Sequence, residues 1–314
     1  MNAPDPALIV GSMAFDDLEL PTITARDVVG GAATYAALSA SLFTRPRVVA
    51  VVGHDFPGEV LEDFEHRGID TLGIEHADGQ TFRWAGRYSE HLDSRVTLDT
   101  QLNVFAEFRP RLPEPYRQTP AVLLANIHPS LQLSVLDQLT VRPRLVVADT
   151  MDFWIERERA TLERVLGRID TLVINDEELR LLAGEHSIRK AARAVLRMGP
   201  SRLVCKRGEF GSLLFDEQGI FCAPPYPLEH AIDPTGAGDT FAGALVGYLC
   251  RADALDGATL RRALLVASAV ASFTVEDVGT RRLAALDEPG MNARVAELES
   301  MVLYPATAVR SATP

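Results

Sequence analysis

Residues 233–245, DPTGAGDTFAGAL, place a glycine-rich turn and an acid at the start of an apolar helix. Apolar residues recur at helical spacing after Asp239, so the first helical turn is predicted to contain this acid. The first amides of a helix have no partner inside it, and Gly236, Ala237 and Gly238 leave them unobstructed. With the positive end of the helix dipole, these amides would bind an oxyanion or a phosphate.

An acid beside an anion site repels the anion unless it takes part in the chemistry. In phosphoryl transfer, Asp239 could accept the proton of an attacking hydroxyl while the amides stabilise the charge of the transferred group. Alternatively, Asp239 only complements the helix dipole and the two glycines only form a turn. The short string GAGD does not decide between these interpretations.

Asn175 and Glu178 are three residues apart, which places both side chains on one face of a predicted helix. Magnesium keeps several waters, so a water-mediated contact with this pair would suit it. The spacing also suits a helix N-terminus at which Asn175 is the cap and Glu178 completes a capping box. The two roles are compatible.

Lys206 ends a predicted strand and is followed by Gly208 and Gly211. A lysine in this position could meet a phosphate. A solvated lysine before a β-hairpin is the alternative.

The elements that must position these residues alternate along the chain. Short apolar runs rich in β-branched residues predict strands at 7–13, 47–53, 121–126, 144–150, 171–176 and 202–208. Helical periodicity predicts helices at 33–43, 57–68, 130–139, 155–168 and 187–199. The strands do not alternate apolar with polar residues, which is typical of a parallel sheet buried on both faces. We therefore expect an α/β fold with crossover helices.

Two stretches, 16–29 and 81–110, do alternate apolar with polar residues and contain turn formers. They are predicted to form antiparallel strands of a small β lid. Further helices are predicted at 236–250, 257–275 and 291–302. We expect a single domain over residues 1–305 and a flexible tail at 306–314.

Bulk properties exclude several classes of protein. The 314 residues carry a net charge of −12, which disfavours a nucleic-acid partner. Three scattered cysteines disfavour a disulfide framework or a zinc site. The chain contains no apolar run of transmembrane length, and its first residues lack the basic segment of a signal peptide. We expect a cytoplasmic protein with no membrane partner.

The segment DPTGAGDTFAGAL resembles the C-terminal signature of the PfkB (ribokinase-like) carbohydrate and nucleoside kinases. Four other segments resemble elements of that family in the family's order: ALIVGSMAFDDLELP, VVGGAATYAALSASLF, VINDEELRLL and VCKRGEFGSLLF. The resemblance covers most of the chain. It implies a ribokinase-like layered α/β/α domain with a mostly parallel sheet and a small β-strand lid.

The same resemblance implies ATP-dependent phosphorylation of a primary hydroxyl of a sugar, with a nucleoside as the alternative acceptor. Asp239 would be the catalytic base, and the anion hole would comprise the amides of Gly236, Ala237 and Gly238. ATP and Mg²⁺ would be the cofactors. Asn175 and Glu178 would organise the ion and its waters.

The resemblance also assigns residues to the nucleotide. They come from three segments of the chain: Lys206, Gly208, Gly211, Thr235 and Gly279. On the resemblance alone, Asp233 together with Thr235 would hold a monovalent cation, K⁺.

On the acceptor side, the resemblance makes Asp16 the acid that binds sugar hydroxyls, with Asp17 as the competing choice. Gly30 and Gly31 would let the backbone approach the sugar.

The chain departs from the family pattern after this glycine pair. The family's usual Asn is replaced by Tyr35 or its neighbour Thr34. Tyr35 could stack on a ring of the substrate, which would suit a nucleoside, or it could pack in the core.

Arg83 and Trp84 lie on the predicted lid, where they could cover a ligand and exclude water. For Trp84 the alternative is burial in a homodimer interface through the β lid. His128 and Asp149 follow strand ends, where α/β ligand sites gather, but capping or core roles would also explain them. With Tyr35 and Trp84, Phe153 keeps a nucleoside acceptor open.

Two functions of other classes fit the sequence less well. A non-catalytic sensor of nucleotides or sugars would have little reason to keep Asp239 facing an anion hole. A dinucleotide oxidoreductase is disfavoured because no GxGxxG follows the first strand.

Overall fold

The computed structural model describes residues 5–302, and these form two sheets with helices on both faces of the larger one. The strands of the larger sheet are β1 (Ala7–Val10), β4 (Arg47–Val52), β5 (Asp70–His76), β8 (Ala121–Leu124), β9 (Leu145–Asp149), β10 (Thr171–Asn175), β11 (Arg202–Lys206), β12 (Ser212–Asp216) and β13 (Gly219–Ala223). Their order is β13-β12-β11-β10-β9-β8-β1-β4-β5. Strands from β11 to β5 pair in parallel, and β12 and β13 add an antiparallel hairpin.

The smaller sheet is the β lid. It consists of β2 (Ala14–Glu19), β3 (Thr24–Gly30), β6 (Phe82–Tyr88) and β7 (Arg95–Gln101), in the order β3-β2-β6-β7. Strand β2 runs antiparallel to β3 and parallel to β6. Both predicted lid stretches therefore contribute strands, although β7 ends at Gln101 and a 3₁₀ helix over Asn103–Glu107 follows it.

The helices are α1 (Ala32–Ser41), α2 (Gly58–His66), α3 (Pro129–Gln138), α4 (Asp152–Arg157), α5 (Arg159–Leu166), α6 (Asp176–Ala183), α7 (Ile188–Leu196), α8 (Ala237–Cys250), α9 (Gly257–Thr274), α10 (Arg281–Ala284) and α11 (Glu288–Val302). The helix predicted over 155–168 is wrong as one element, because the backbone leaves the helical region at Glu158 (φ −123°, ψ 30°). None of the helices that can be described is both long and apolar enough to cross a membrane.

Successive residues of the central strands face opposite layers of the core. Ile9 lies in the layer formed with α1, α8 and α9, whereas Leu8 and Val10 lie in the layer formed with α3, α5, α6 and α7. This arrangement confirms the predicted layered α/β/α class. A single domain over 1–305 stays a prediction, and the tail predicted at 306–314 lies outside the described residues.

Arg144, just before β9, clamps the C-terminus of α8. Its guanidinium donates to the carbonyls of Leu249 (3.0 Å), Cys250 (2.8 Å) and Ala252 (2.8 Å). A cation is favourable at a helix C-terminus, where carbonyls lack partners. We expect Arg144→Ala to lower the free energy of unfolding by about 1–2 kcal/mol.

Urea unfolding measures this effect, and Arg142→Ala is the matched control. Within residues 5–302, the polar contact of Arg142 is an exposed ion pair with Asp170, so its loss should change stability by less than about 0.5 kcal/mol. Equal losses in the two variants would contradict a specific clamp on α8.

Candidate active site

The candidate residues gather at the carboxyl edge of the larger sheet. Asp149, Asn175 and Lys206 are the last residues of three neighbouring strands, β9, β10 and β11. Ligand sites of open α/β sheets form outside the carboxyl ends of the strands.

Asp239 lies in the first turn of α8. This helix begins at Ala237, directly after its N-cap residue Gly236, which has a left-handed backbone conformation (φ 75°). Burial and the nearby Asp149 carboxylate raise the pKa of Asp239 to about 7, while Lys206 and Arg95 oppose this rise. A carboxyl group with this pKa can exchange a proton near neutral pH, as a general base must.

The Lys206 ammonium lies against the glycine-rich turn. Its Nζ is 3.0 Å from Asp149 Oδ2, and it stands only 2.9 Å from where a Cβ on Gly238 would lie. Burial alone would lower the pKa of Lys206, but the carboxylates of Asp149, Glu178 and Asp239 raise it. The site therefore holds a fixed positive charge beside the first amides of α8.

Asp233 fastens the loop that precedes α8. It is fully buried, and its Oδ1 and Oδ2 accept hydrogen bonds from the amides of Thr235 and Gly279, both at 2.9 Å. The Thr235 hydroxyl shares a 2.9 Å hydrogen bond with Tyr88 of the β lid. Both Asp233 oxygens are thus engaged by amides, and the monovalent-cation role stays a prediction.

Asn175 and Glu178 form the capping box that their spacing predicted. Asn175 Oδ1 accepts from the Glu178 amide (2.8 Å), and Glu178 Oε2 accepts from the Asn175 amide (3.0 Å). Burial raises the pKa of Glu178 to about 7. Within residues 5–302 no group of three or more metal-ligating side chains is present. The side-chain oxygens of Asn175 and Glu178 therefore fit a magnesium ion whose ligands are mainly waters and phosphates.

Asp16 is the acid of β2 that faces the other carboxylates. It is 5% exposed, and a Cβ on Gly30 would lie 2.0 Å from its Oδ2, so only glycine leaves room for this carboxylate. Burial, followed by the charges of Asp233 and Asp239, raises the pKa of Asp16 to about 8.

Asp17 is engaged elsewhere in the lid. Its carboxylate accepts from Arg26 (3.2 Å) and from the Asp27 amide (2.9 Å). Of the two acids considered from the sequence, Asp16 is therefore the candidate for binding the acceptor, and it lies near Asp233 and Asp239.

The remaining residues predicted on the acceptor side are spread over α1 and the lid. Gly31 caps α1, and Arg83 on β6 contacts Asp27 at 2.5 Å and the ring of Phe15. Tyr35 is 1% exposed, its ring packs against Gly236, and its hydroxyl has no hydrogen-bond partner in the described part of the chain. Of the two alternatives for Tyr35, the structure therefore has core packing. Its ring is covered by the protein and does not offer an open surface on which a substrate ring could stack.

The three glycines that were predicted to contact the nucleotide lie in two separate loops. Gly208 and Gly211 lie in the turn between β11 and β12, where the Arg207 amide donates to the Gly211 carbonyl (2.8 Å). Gly279 lies in the loop after α9 and is joined to Thr235 through Asp233.

Two lid residues at the site were not singled out from the sequence. The Tyr88 hydroxyl on β6 hydrogen-bonds the Thr235 hydroxyl, and the charge of Arg95 on β7 opposes the rise in the pKa of Asp16 and Asp239. The alternating pattern predicted the strands that carry them. It could not indicate which lid residue reaches the loop before α8, because that depends on the parallel pairing of β2 with β6.

The raised pKa of Asp16 predicts a pH-dependent effect on stability. The folded state favours the protonated acid, so this stabilisation is complete below pH 3.8 and is lost as the pH rises towards 8. We expect Asp16→Asn to raise Tm by about 2–5 °C at pH 8.5, and by less at pH 5. Thermal unfolding at the two pH values measures it. Asp17→Asn is the control, and a gain independent of pH would contradict the prediction.

Comparisons with known proteins identify the family of this chain. The profile of a family described as "pfkB family carbohydrate kinase" matches residues 135–286. A nucleoside kinase of Methanothermobacter thermautotrophicus is 31% identical over 306 residues, covering 87% of this chain and 90% of that protein. The chain belongs to the PfkB family. It is thus a sugar or nucleoside kinase, a phosphotransferase with an alcohol group as acceptor.

Other relatives of this PfkB kinase have related names and folds. The cytidine kinase of Thermococcus kodakarensis is 29% identical over 248 residues, which cover 77% of this chain and 87% of that protein. The solved structure of a Burkholderia thailandensis nucleoside kinase in complex with inosine has a TM-score of 0.75 at 18% identity, covering 93% of this chain and 96% of that one. These similarities confirm the ribokinase-like fold.

Proposed function

We propose that this PfkB kinase transfers the γ-phosphoryl group of ATP to the primary hydroxyl of a nucleoside. The observation that carries the proposal is Asp239, which stands at the amide-lined start of α8 beside the Lys206 ammonium. The choice of a nucleoside rests on two relatives that span most of the chain and are named for nucleosides. A free sugar is the second candidate, since Asp16 could bind ring hydroxyls of either acceptor.

In the proposed reaction, Asp239 accepts the proton of the primary hydroxyl while that oxygen bonds to the γ-phosphorus. The bond between this phosphorus and the bridging oxygen breaks, and ADP leaves. The amides of Gly236, Ala237 and Gly238 and the Lys206 ammonium stabilise the charge on the moving group.

The remaining residues bind and orient the reactants. Asp16 accepts hydrogen bonds from ring hydroxyls of the acceptor. Mg²⁺, when bound with ATP, would neutralise phosphate charge, and Asn175 and Glu178 would hold it through its waters. The lid, joined to the turn at Thr235, excludes water, which would otherwise compete as phosphoryl acceptor.

A coupled ADP-release assay over nucleosides and free sugars tests the proposal, with a pH profile for the best acceptor. Asp239 serves as a base only when deprotonated. Because its pKa is raised to about 7, kcat/KM should fall about tenfold per pH unit below pH 7. ADP release with sugars alone would contradict the nucleoside assignment, and a flat profile from pH 5 to 8 would contradict the role of Asp239.

A further inference from the structure

Three aromatic residues, His128, Phe153 and Trp154, form a cluster that the proposed chemistry does not use. The His128 and Trp154 ring centroids are 5.0 Å apart, and those of Phe153 and Trp154 are 4.9 Å apart in an edge-to-face arrangement. Phe153 is 51% exposed although it is a large apolar residue. The exposed part of this ring leaves an aromatic face, beside the two other rings, that a flat ligand could contact.

The aromatic cluster lies at the same sheet edge as the candidate active site. His128 caps α3 just after β8, and the other two rings lie on α4, which begins three residues after Asp149 at the end of β9. Strand β8 lies between β9 and β1, and β1 leads directly into the strand that carries Asp16. The cluster therefore follows the ends of β8 and β9, the two strands that lie between β10 and β1 in the sheet.

The polar edges of the cluster are occupied by the protein itself. Trp154 Nε1 donates to Asn126 Oδ1 (2.9 Å), and His128 Nδ1 accepts from the Ser130 amide (3.1 Å). His128 Nε2 lies 3.6 Å from Glu158 Oε1. These contacts fix the two rings, so the cluster can offer aromatic faces but few free donors or acceptors.

We propose that the aromatic cluster stacks on the base of the nucleoside acceptor and recognises its face rather than its hydrogen-bonding edge. This inference rests on the proposed function and adds the basis of substrate choice. Every base has an aromatic face, whereas purines and pyrimidines differ at their edges, so stacking is tolerant of base identity. The enzyme should accept both classes of nucleoside with similar efficiency and should favour either over free ribose.

Steady-state kinetics with cytidine, inosine and ribose test the proposal. Phe153→Ala should raise KM for both nucleosides about 5- to 150-fold, which corresponds to the loss of one base-stacking contact. It should leave kcat/KM for ribose unchanged. The control is Leu72→Ala, which removes another exposed apolar side chain (66% exposed) on the edge strand β5 and should change none of these values.

Binding provides a second readout that does not require turnover. The only tryptophans of the chain are Trp84 and Trp154, so Trp84→Phe leaves Trp154 in the cluster as the single tryptophan, which can be excited selectively at wavelengths where tyrosine does not absorb. Cytidine and inosine should both quench its fluorescence, and ribose should not.

The possible results separate this inference from the proposed function. Nucleoside KM values that stay unchanged in Phe153→Ala, with nucleoside turnover intact, would overturn the stacking role only. A rise for inosine but none for cytidine would overturn recognition by the base face. A parent enzyme that phosphorylates ribose and no nucleoside would overturn the proposed function as well.

Discussion

Asp239→Asn should lower kcat/KM about 100-fold or more, the usual scale for the loss of a general base. The substitution preserves the size of the side chain and leaves the amides of Gly236, Ala237 and Gly238 in place. It removes the one group at the start of α8 that can accept the proton of the hydroxyl. ATP affinity should not fall, because the variant carries one negative charge fewer beside the phosphate site.

Coupled ADP release measures the rate, and calorimetric titration with ATP measures the affinity. Asp253→Asn is the matched control, since Asp253 is an exposed acid just beyond the opposite end of α8. Parental turnover in Asp239→Asn would show that another group takes the proton. A similar loss in Asp253→Asn would show that charge alone matters.

Lys206→Met should lower kcat/KM for ATP about 100- to 1000-fold, the range found when one preorganised group of an oxyanion site is removed. The methionine keeps the length of the side chain but removes the ammonium that lies against Gly238. The carboxylates of Asp149, Glu178 and Asp239 would then face the phosphates without a compensating charge.

Lys190→Met is the control for this variant, because Lys190 is the only other lysine of the chain and is exposed. Thermal unfolding distinguishes a catalytic loss from misfolding. A folded Lys206→Met enzyme with parental kcat/KM would contradict the placement of the phosphates at the start of α8. A comparable loss in Lys190→Met would rule out a specific role.

The sequence predicted those parts of the site that depend on local pattern. The apolar runs before Asp149 and Lys206 placed these two side chains at the carboxyl ends of strands, and parallel strands share that edge of the sheet. The structure adds Asn175, which was predicted as a helix cap and is also the last residue of β10. The capping box of Asn175 and Glu178 followed from a spacing of three residues. Its confirmation does not exclude the magnesium role, since the box occupies one carboxylate oxygen of Glu178.

Features that depend on contacts between distant segments could not be predicted. The ring of Tyr35 packs against Gly236, about 200 residues away in sequence, and periodicity within α1 carries no information about that contact. Tyr88 and Arg95 were missed for the same reason. Strand β5 was not predicted because it lies at the sheet edge and is mostly exposed, so it lacks a continuous apolar run.

A crystal structure with a non-hydrolysable ATP analogue and cytidine would show where the phosphates and the acceptor lie relative to Asp239. We expect the γ-phosphate to lie within hydrogen-bonding distance of the α8 amides and of Lys206 Nζ. We also expect the primary hydroxyl of cytidine to lie about 3 Å from an Asp239 oxygen. A triphosphate bound away from this turn, or an Asp239 carboxylate directed away from the acceptor, would contradict this expectation.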